Sequence, residues 1–373
     1  MALHEEAFTL GVEEEFQIID PQTRELSPDV ERLLPLAQES LGAAAQMEMM
    51  LSQIEIATPI CANLDEVRRE LVRMRGGVIE AAVRIDRQIA AAGTHQFSRW
   101  YEQLITPRSR YEQLVQDFQQ LVRLQVIFGC HVHVGIRDRE RALQVLNRAR
   151  PWLPLLLTLS ANSPFWHGDD TQYASFRSSL WWTSPMSGPP PFFASRDEYD
   201  SVVRDLISTE CLVDPTRIYW DIRLPERFPT IEFRVMDVCL TLDEAVMMAG
   251  LVRALVRTCY EEAERDVPFT VVHPELLRAA NWRAARFGFE GELIDFETMH
   301  VVPARELLER FLVWLRPALE ATGDWERISQ GVQDLLKQGN GAMRQCAVYQ
   351  RTGSMEDVVD YVVAQTARGT EKA

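Results

Sequence analysis

The sequence lacks the features that mark several classes of protein. Its net charge is −16 and its basic residues form no long run, so it does not offer the concentrated Lys and Arg that nucleic-acid phosphates require. Its longest apolar stretch, residues 152–161, is too short and too interrupted by proline to span a bilayer. Residues 1–8 contain no apolar segment of a signal peptide. We therefore expect a cytoplasmic protein that binds neither nucleic acid nor membranes.

Two further absences concern cysteine and glycine motifs. None of the six cysteines forms a CxxC pair, and most lie in apolar runs that are typical of small buried side chains rather than disulfides. The sequence contains no Walker loop and no Gly-rich dinucleotide fingerprint. If this protein binds a nucleotide, the site is therefore of another type.

The rest of the composition is typical of a globular protein, with 46% hydrophobic and 25% charged residues in a chain of 373. Strand patterns occupy the first two-thirds of the chain and helical patterns dominate the end, which predicts an α+β fold. Asn63 and Glu66 form a capping box that predicts a helix to about Ala92. Residues 162–193 are rich in Pro, Ser and Trp and have no steady period, which predicts a structureless functional loop or lid.

Four of the predicted strands carry an unusual polar face. Side chains at positions i and i+2 of a strand point to the same side of a sheet, and here one side of each strand is apolar. Glu14 interrupts the apolar side of the first strand, and the pattern leaves a bulge or an ion pair as its explanation. The polar positions are Glu13, Glu15 and Gln17; Gln53 and Glu55; His131 and His133; and Glu232 and Arg234.

This set of side chains indicates bound cations. A sheet face exposed to solvent is usually filled with Thr, Lys, Ser and Gln, whereas four carboxylates on one face repel one another unless cations lie between them. Hard divalent cations with oxygen ligands and an occasional imidazole meet that requirement. Two alternatives stay open: the strands do not pair and each polar face is solvated, or His131 and His133 are the zinc pair of a metal-dependent amide hydrolase.

Motifs extend over nearly the whole chain: LGVEEEF (10–16), SQIEIATP (52–59), GCHVHVG (129–135), EFRVMDVC (232–239), WRAARFG (282–288) and GNGAMRQ (339–345), with FRSSLWW and SGPPP in a central loop (173–191). In this order they resemble the motifs of the glutamate–cysteine ligase type 2 family, also called YbdK-like carboxylate–amine ligases. One departure is Ala279-Ala280-Asn281, where many relatives carry Glu-Asn-Lys or Glu-Asn-Arg.

The resemblance implies a fold and a domain organisation. The family is related in fold to glutamine synthetase, in which an antiparallel sheet forms the floor of the active site beneath ATP, Mg²⁺ and glutamate. Helices pack on the other face of that sheet. For this chain the resemblance implies a single catalytic domain over residues 1–373, with an active-site loop at 162–193, and it suggests a homodimer.

The resemblance also assigns roles by position. His133 lies nearer the substrate, Arg234 matches the arginine that faces the transferred phosphate, and Arg177 and Arg344 are candidates for binding a phosphate or a substrate carboxylate. The implied ligands for Mg²⁺ or Mn²⁺ are Glu13, Glu15, Glu48, Glu55, His131 and Glu232.

The implied activity is the ATP-dependent joining of L-glutamate and L-cysteine into γ-glutamylcysteine, with release of ADP and phosphate. A carboxylate is a poor electrophile towards amines, and its phosphorylation to an acyl phosphate supplies a leaving group. Phosphoryl transfer depends mainly on positioning and on charge neutralisation, which cations and arginine provide. Besides the hydrolase, the remaining alternative is a nucleotide-binding regulatory relative with little activity.

Overall fold

The computed structural model describes residues 8–370, so the expectation for residues 1–8 falls almost entirely outside the described chain. A seven-stranded antiparallel sheet is the centre of the fold. The strands are β1 (Leu10–Ile19), β2 (Ala45–Met47), β3 (Gln53–Ala57), β4 (Gln88–Ala90), β5 (Gly129–Gly135), β6 (Phe165–Trp166), β7 (Asp169–Asp170), β8 (Ser187–Gly188), β9 (Tyr219–Trp220), β10 (Ile222–Arg223), β11 (Thr230–Asp237), β12 (Glu292–Asp295) and β13 (His300–Pro303).

Helices dominate the chain after β11, as the sequence predicts for an α+β fold. Within the described residues, none of them combines the length and the apolar character needed to cross a membrane. The helices are α1 (Val30–Leu41), α2 (Leu64–Val83), α3 (Ser109–Phe118), α4 (Gln120–Arg123), α5 (Arg139–Ala149), α6 (Leu153–Ser160), α7 (Phe176–Trp181), α8 (Arg196–Ser208), α9 (Leu242–Glu264), α10 (Pro274–Phe287), α11 (Ala304–Ala321), α12 (Trp325–Gln338), α13 (Gly341–Thr352) and α14 (Met355–Ala367).

The strand order of the central sheet is β10–β11–β5–β1–β3–β2, and β4 pairs with the end of β1. The apolar side of the sheet packs against helices. Val132 and Phe233 are fully buried in a cluster with residues of α5, α6 and α9, while Phe16 and Ile54 belong to a second cluster with residues of α1, α2 and α14. This packing leaves the polar side of the central strands for the candidate site.

An ion pair explains the charged residue on the apolar side of β1. Glu14 and Arg75 of α2 are both fully buried. Arg75 Nε donates to Glu14 Oε2 at 2.8 Å, and Arg75 Nη2 donates to the other carboxylate oxygen and to the carbonyl of Cys239. Each charge therefore has a partner inside the core. Removal of one partner leaves the other charge buried alone, which typically costs roughly 3–5 kcal/mol.

Helix α2 begins where the sequence predicts and ends earlier. The Asn63 side chain caps it by accepting from the Glu66 N–H at 2.9 Å. The prediction that the helix continues to about Ala92 was wrong, because the helix ends at Val83 and β4 follows. The short apolar run at 89–92 fits a helix and a buried strand equally well, and antiparallel pairing with the end of β1 makes part of it a strand.

Residues 162–193 are more ordered than predicted. They contain α7 and the short strands β6, β7 and β8, and Ser163, Ser175 and Arg177 are buried. The prediction of a structureless stretch was wrong, because hydrogen bonds to the buried Asp237 hold the segment in place without an apolar period. The role of the segment as an active-site loop stays a prediction.

Candidate active site

The polar sides of four strands meet on one face of the central sheet. Antiparallel pairing aligns the carboxylates of β1 with polar residues of the strands on either side. The alternative in which these strands do not pair is therefore wrong. The cross-strand pairs are Glu13 with His131, Glu15 with Glu55, and Glu232 with His133.

A cavity of about 770 Å³ lies over this polar face, and we call it the main cavity. Arg108, Arg110 and Tyr111, at the start of α3, form part of its wall, and Trp181 of α7 forms another part. The cavity brings together most of the predicted site residues. These are Glu13, Glu15, Glu48, Glu55, His131, Arg177 and Arg234.

Three carboxyl groups of the main cavity are hard to ionise. Burial and the charge of Glu48 raise the pKa of Glu15 to about 7. Burial and neighbouring carboxylates, Glu48 first, raise the pKa of Glu55 well above 4.5, and burial also raises the pKa of Glu48. A divalent cation between them would stabilise the ionised forms, and this oxygen-rich donor set fits Mg²⁺ or Mn²⁺.

A second set of potential metal ligands lies beside the first. Within residues 8–370, Glu13, His133 and Glu232 each offer one ligand atom, and the three atoms lie within 4.8 Å of one another. His133 Nε2 is buried without a well-formed hydrogen bond, although Glu13 Oε1 is 3.2 Å away. Burial opposes protonation of His133, but Glu13 and Glu232 outweigh it and raise the pKa. Two carboxylates and an imidazole are a donor set that fits a divalent cation.

The resemblance assigned the two histidines different roles, and those roles stay predictions. That assignment made His131 a metal ligand and placed His133 nearer the substrate, whereas the structure groups His133 with Glu13 and Glu232. His131 Nδ1 lies 2.9 Å from Glu13 Oε2, so both imidazoles contact the same carboxylate. Burial and the charge of Arg234 lower the pKa of His131 to about 4. Strand alternation places both histidines on one face of the sheet, and it does not show which of them would bind a metal.

Two arginines flank Glu232. Arg234 Nη1 donates to Glu232 Oε1, and the Arg234 guanidinium lies over the Trp181 ring, 5.6 Å from its centre. Arg223 of β10 donates through Nε to Glu232 Oε2 at 2.7 Å. Arg223 is not among the site residues predicted from the sequence. The pattern that could have found it is the antiparallel pairing of β10 with β11, which sets Arg223 directly opposite Glu232.

The other two predicted arginines lie in different places. Arg177 is buried, lines the main cavity, and donates through Nη2 to the carbonyl of Arg234 at 3.3 Å. Arg344 of α13 instead forms an ion pair with Glu244 of α9 and lines a separate cavity of about 150 Å³. The structure therefore does not bring Arg344 to the predicted site, because α13 directs it towards α9 rather than to the polar face of the sheet.

Two smaller spaces adjoin the main cavity. The first, which we call the apolar pocket, measures about 560 Å³, and its lining includes Ile60 and Phe228. The second, the basic pocket, measures about 150 Å³, and its lining includes Arg139 and Arg223. Glu13 lines all three spaces, so this carboxylate of the second set lies where they meet.

Comparison with known proteins assigns the family. The sequence profile of the Glutamate-cysteine ligase family 2 (GCS2) matches residues 9–361. The chain belongs to this family. A Rhodopirellula baltica protein named "Putative glutamate--cysteine ligase 2" is 41% identical over 363 residues, which cover 96% of each chain. A Frankia alni protein named "Putative glutamate--cysteine ligase 2-2" is 40% identical over 96% of this chain and 97% of its own. The prediction of a carboxylate–amine ligase of this family is confirmed.

Solved structures share the fold of this glutamate–cysteine ligase family 2 member. The glutamate–cysteine ligase of Francisella tularensis, solved in complex with AMP, aligns with a TM-score of 0.69 and 13% identity over 97% of this chain and 89% of its own. A bifunctional glutathione synthetase from Pasteurella multocida aligns with a TM-score of 0.68 and 16% identity over 98% of this chain, which spans about half (53%) of that protein. At these identities the alignments show the fold alone, and they confirm the predicted fold class.

Proposed function

We propose that this protein is an ATP-dependent ligase that joins the γ-carboxylate of L-glutamate to the amine of L-cysteine through an acyl phosphate. The observation that carries the proposal is the main cavity, where Arg234 lies beside a face of carboxylates and one imidazole. Such a cavity offers an arginine for a phosphoryl group and oxygen ligands for the cations that accompany it. The names of the relatives and the AMP complex of the Francisella protein support the choice of substrates.

The two sets of potential ligands fit divalent cations, and we propose Mg²⁺, with Mn²⁺ as a substitute. Bound cations would neutralise the phosphate oxygens during transfer. The two sets are separate in composition, because one contains an imidazole and the other contains only carboxylates. One set is Glu13, His133 and Glu232, with His131 beside Glu13, and the other is Glu15, Glu48 and Glu55.

Within this arrangement Arg234 takes up negative charge on the transferred phosphoryl group. Its contacts with Glu232 and with the Trp181 ring fix the guanidinium before substrate arrives, which is the preorganisation that charge stabilisation requires. Arg177 adds a second positive charge at the floor of the cavity near Glu15. The Trp181 ring covers part of the same space and reduces the access of water to an acyl phosphate.

The three adjoining spaces suggest how the substrates are arranged. The apolar pocket suits an aromatic base, because Phe228 and Ile60 line it and are 60% and 82% exposed. Glu13 and His133 also line this pocket, so a nucleotide bound there can place its phosphates beside these two proposed metal ligands. The main cavity, which is also lined by Glu13, then receives the amino acids. The phosphoryl group would cross from one space to the other at Glu13.

The base assignment predicts an effect on nucleotide binding alone. Phe228→Ala should raise the KM for ATP roughly 5- to 100-fold, because stacking of an aromatic side chain on a base contributes about 1–3 kcal/mol. The KM for the amino acids should change little. Steady-state kinetics with each substrate varied in turn measures both values, and Phe269→Ala, at an exposed phenylalanine that lines none of the three spaces, is the matched control. An unchanged KM for ATP in Phe228→Ala would place the base elsewhere.

The raised pKa of Glu15 predicts that cation binding depends on pH. A carboxyl with a pKa of about 7 is mostly protonated at pH 6, and a cation must displace that proton in order to bind. The raised pKa of His133 acts in the same direction, because an imidazolium cannot be a ligand. We expect the Mg²⁺ affinity, measured by calorimetry without nucleotide, to rise about tenfold or more from pH 6 to pH 8. Equal affinities at the two pH values would contradict the proposed ligand set.

A substrate screen tests the proposed function itself. Purified protein with ATP, Mg²⁺ and pairs of amino acids should release ADP only when both amino acids are present, and the product should have the mass of γ-glutamylcysteine. ADP release with another pair of amino acids would support a ligase that acts on substrates other than glutamate and cysteine. Nucleotide binding without ADP release from any pair would favour the regulatory alternative, and amide cleavage that needs no ATP would favour the hydrolase.

A further inference from the structure

Two motifs of this chain, WRAARFG (282–288) and GNGAMRQ (339–345), have no part in the chemistry proposed above. The first is at the end of α10 and the second is at the start of α13. Within the described chain, neither contributes a residue to the lining of the main cavity. Both instead contact residues 161–175, the segment that leads into α7 and Arg177, one at its start and the other at its end.

The motif at 339–345 holds the beginning of this segment. Gln345 Nε2 donates to Asn162 Oδ1 at 2.8 Å and to the Asn162 carbonyl at 3.1 Å, and the Ala342 N–H donates to the Ala161 carbonyl at 2.9 Å. A side chain at Gly341 would collide with the Asn162 amide, so the glycine is required for this close approach. Asn162 is buried and its own Nδ2 donates to the carbonyls of Ala91 and Val238.

The motif at 282–288 holds the end of the same segment. The carbonyl of Ala285 accepts the N–H groups of Ala174 and Ser175, at 2.8 and 3.0 Å. Ser175 is the N-cap of α7, and its side chain accepts from the Ser178 N–H. Hydrogen bonds from the two motifs therefore hold both ends of residues 161–175, and this fixes where α7 begins.

Three polar groups of this segment donate hydrogen bonds to one buried carboxylate, Asp237, at the end of β11. Asp237 Oδ2 accepts from the Asn162 N–H at 2.8 Å and from Ser163 Oγ at 2.6 Å, and Oδ1 accepts from Ser175 Oγ at 2.8 Å. Arg177 Nη1 lies 3.6 Å from Oδ1. Asp237 is fully buried, so its charge needs these donors and Arg177 as partners.

Arg177 connects this network to the floor of the main cavity. Its Nη1 and Nη2 donate to the carbonyls of Val235 and Arg234, at 3.4 and 3.3 Å. The guanidinium also packs against Gly129, where any side chain would collide with it. The Gly129 N–H donates to Glu15 Oε2 at 2.6 Å. Arg177 therefore contacts both β5 and β11, close to the Gly129 N–H that donates to the proposed metal ligand Glu15.

We propose that Asp237 is a positioning residue, which holds the Arg177 guanidinium in place at the floor of the main cavity. The motifs at 282–288 and 339–345 act through the same network, because they fix the donors that surround Asp237. This inference rests on the proposed function for its kinetic consequences. The position of Arg177 depends on Asp237 whichever substrates the cavity binds.

A double-mutant cycle tests the proposal. Asp237→Asn keeps the size of the side chain and removes the charge that pairs with Arg177, so we expect kcat to fall about 10- to 100-fold with KM values within about threefold of wild type. Arg177→Lys should lower kcat by at least as much. Because Asp237 acts through Arg177, the double variant should be no slower than Arg177→Lys alone. Asp295→Asn, at a buried aspartate that pairs with Arg310 away from the cavity, is the matched control and should keep wild-type turnover.

Several outcomes would overturn the proposal. If the kcat losses of the two single variants multiply in the double variant, Asp237 acts independently of Arg177 and is a purely structural residue. Normal turnover in folded Asp237→Asn would show that Asp237 has no role at the site. If Asp237→Asn does not fold, Ser163→Ala deletes one donor to Asp237 without changing charge, and it should lower kcat and leave KM unchanged. If wild-type protein releases no ADP, the proposed function fails, and a crystal structure of Asp237→Asn decides this proposal separately: Arg177 displaced supports it, and Arg177 in place contradicts it.

Discussion

Glu55→Gln is expected to lower Mg²⁺-dependent turnover roughly a hundredfold or more and, at the same time, to stabilise the metal-free protein. Activity falls because the change removes a charged oxygen ligand of the proposed metal site, and loss even of a residue that only supports a ligand typically costs 10- to 100-fold. Stability rises because the folded pKa of Glu55 is well above its ordinary value of 4.5. The ionised form therefore destabilises the fold above about pH 4.5, increasingly until the pH passes the folded pKa. Kinetics at varied Mg²⁺ and thermal melts with a chelator measure the two effects.

The sign of the stability change distinguishes Glu55 from a buried carboxylate that is paired with an arginine. We expect the melting temperature of metal-free Glu55→Gln to exceed that of wild type at pH 8 and to approach it at pH 4. Glu14→Gln, on the other side of the same sheet, is the matched control. It should destabilise the protein, because it leaves Arg75 without a charged partner. A destabilised Glu55→Gln with normal Mg²⁺ dependence would remove Glu55 from the metal site.

Arg234→Lys is expected to lower turnover on the order of a hundredfold or more while Mg²⁺–ATP still binds. A planar guanidinium can contact Glu232 and a phosphoryl oxygen together, and the ammonium group of Lys cannot reproduce two parallel hydrogen bonds. Loss of one preorganised donor of this kind typically costs 10²- to 10³-fold. Steady-state ADP formation measures turnover, and calorimetry measures nucleotide affinity in the same variant.

A buried arginine outside the site provides the comparison for Arg234. Arg253 of α9 pairs with Asp324, and both are buried. Arg253→Lys should lower the melting temperature and leave turnover per folded molecule unchanged. Near-normal turnover in Arg234→Lys would show that this arginine serves only to neutralise Glu232. A metal-dependent hydrolase predicts that result, because in such an enzyme Arg234 has no phosphate to bind.

The polar face could be predicted from the sequence because strand alternation is a local property. Glu13, Glu15, His131, His133 and Glu232 each follow the two-residue period of their own strand, and antiparallel pairing then brings the strands together. The same reasoning placed Glu14 on the apolar side. It could not supply Arg75 as the partner, because that contact spans 61 residues and depends on how α2 packs under the sheet.

Other parts of the site depend on contacts that no local pattern reveals. Arg177 is held by Asp237 and by the carbonyls of β11, so its place follows from the packing of residues 162–193 rather than from their period. Arg344 lies in a motif as recognisable as the others, yet α13 directs it to Glu244. A motif shows that a position matters to a family, and only the fold shows whether the side chain reaches the cavity.

Transfer of an oxygen atom from the carboxylate substrate to phosphate is the most direct test of the proposed mechanism. If the γ-carboxylate of glutamate attacks the γ-phosphorus of ATP and the amine then displaces phosphate from the acyl carbon, one carboxylate oxygen leaves with the phosphate. With glutamate labelled with ¹⁸O in the γ-carboxylate, mass spectrometry of the released phosphate should therefore show one ¹⁸O atom per turnover. Phosphate that contains no ¹⁸O, released together with amide product, would contradict the acyl phosphate and with it the account of the main cavity.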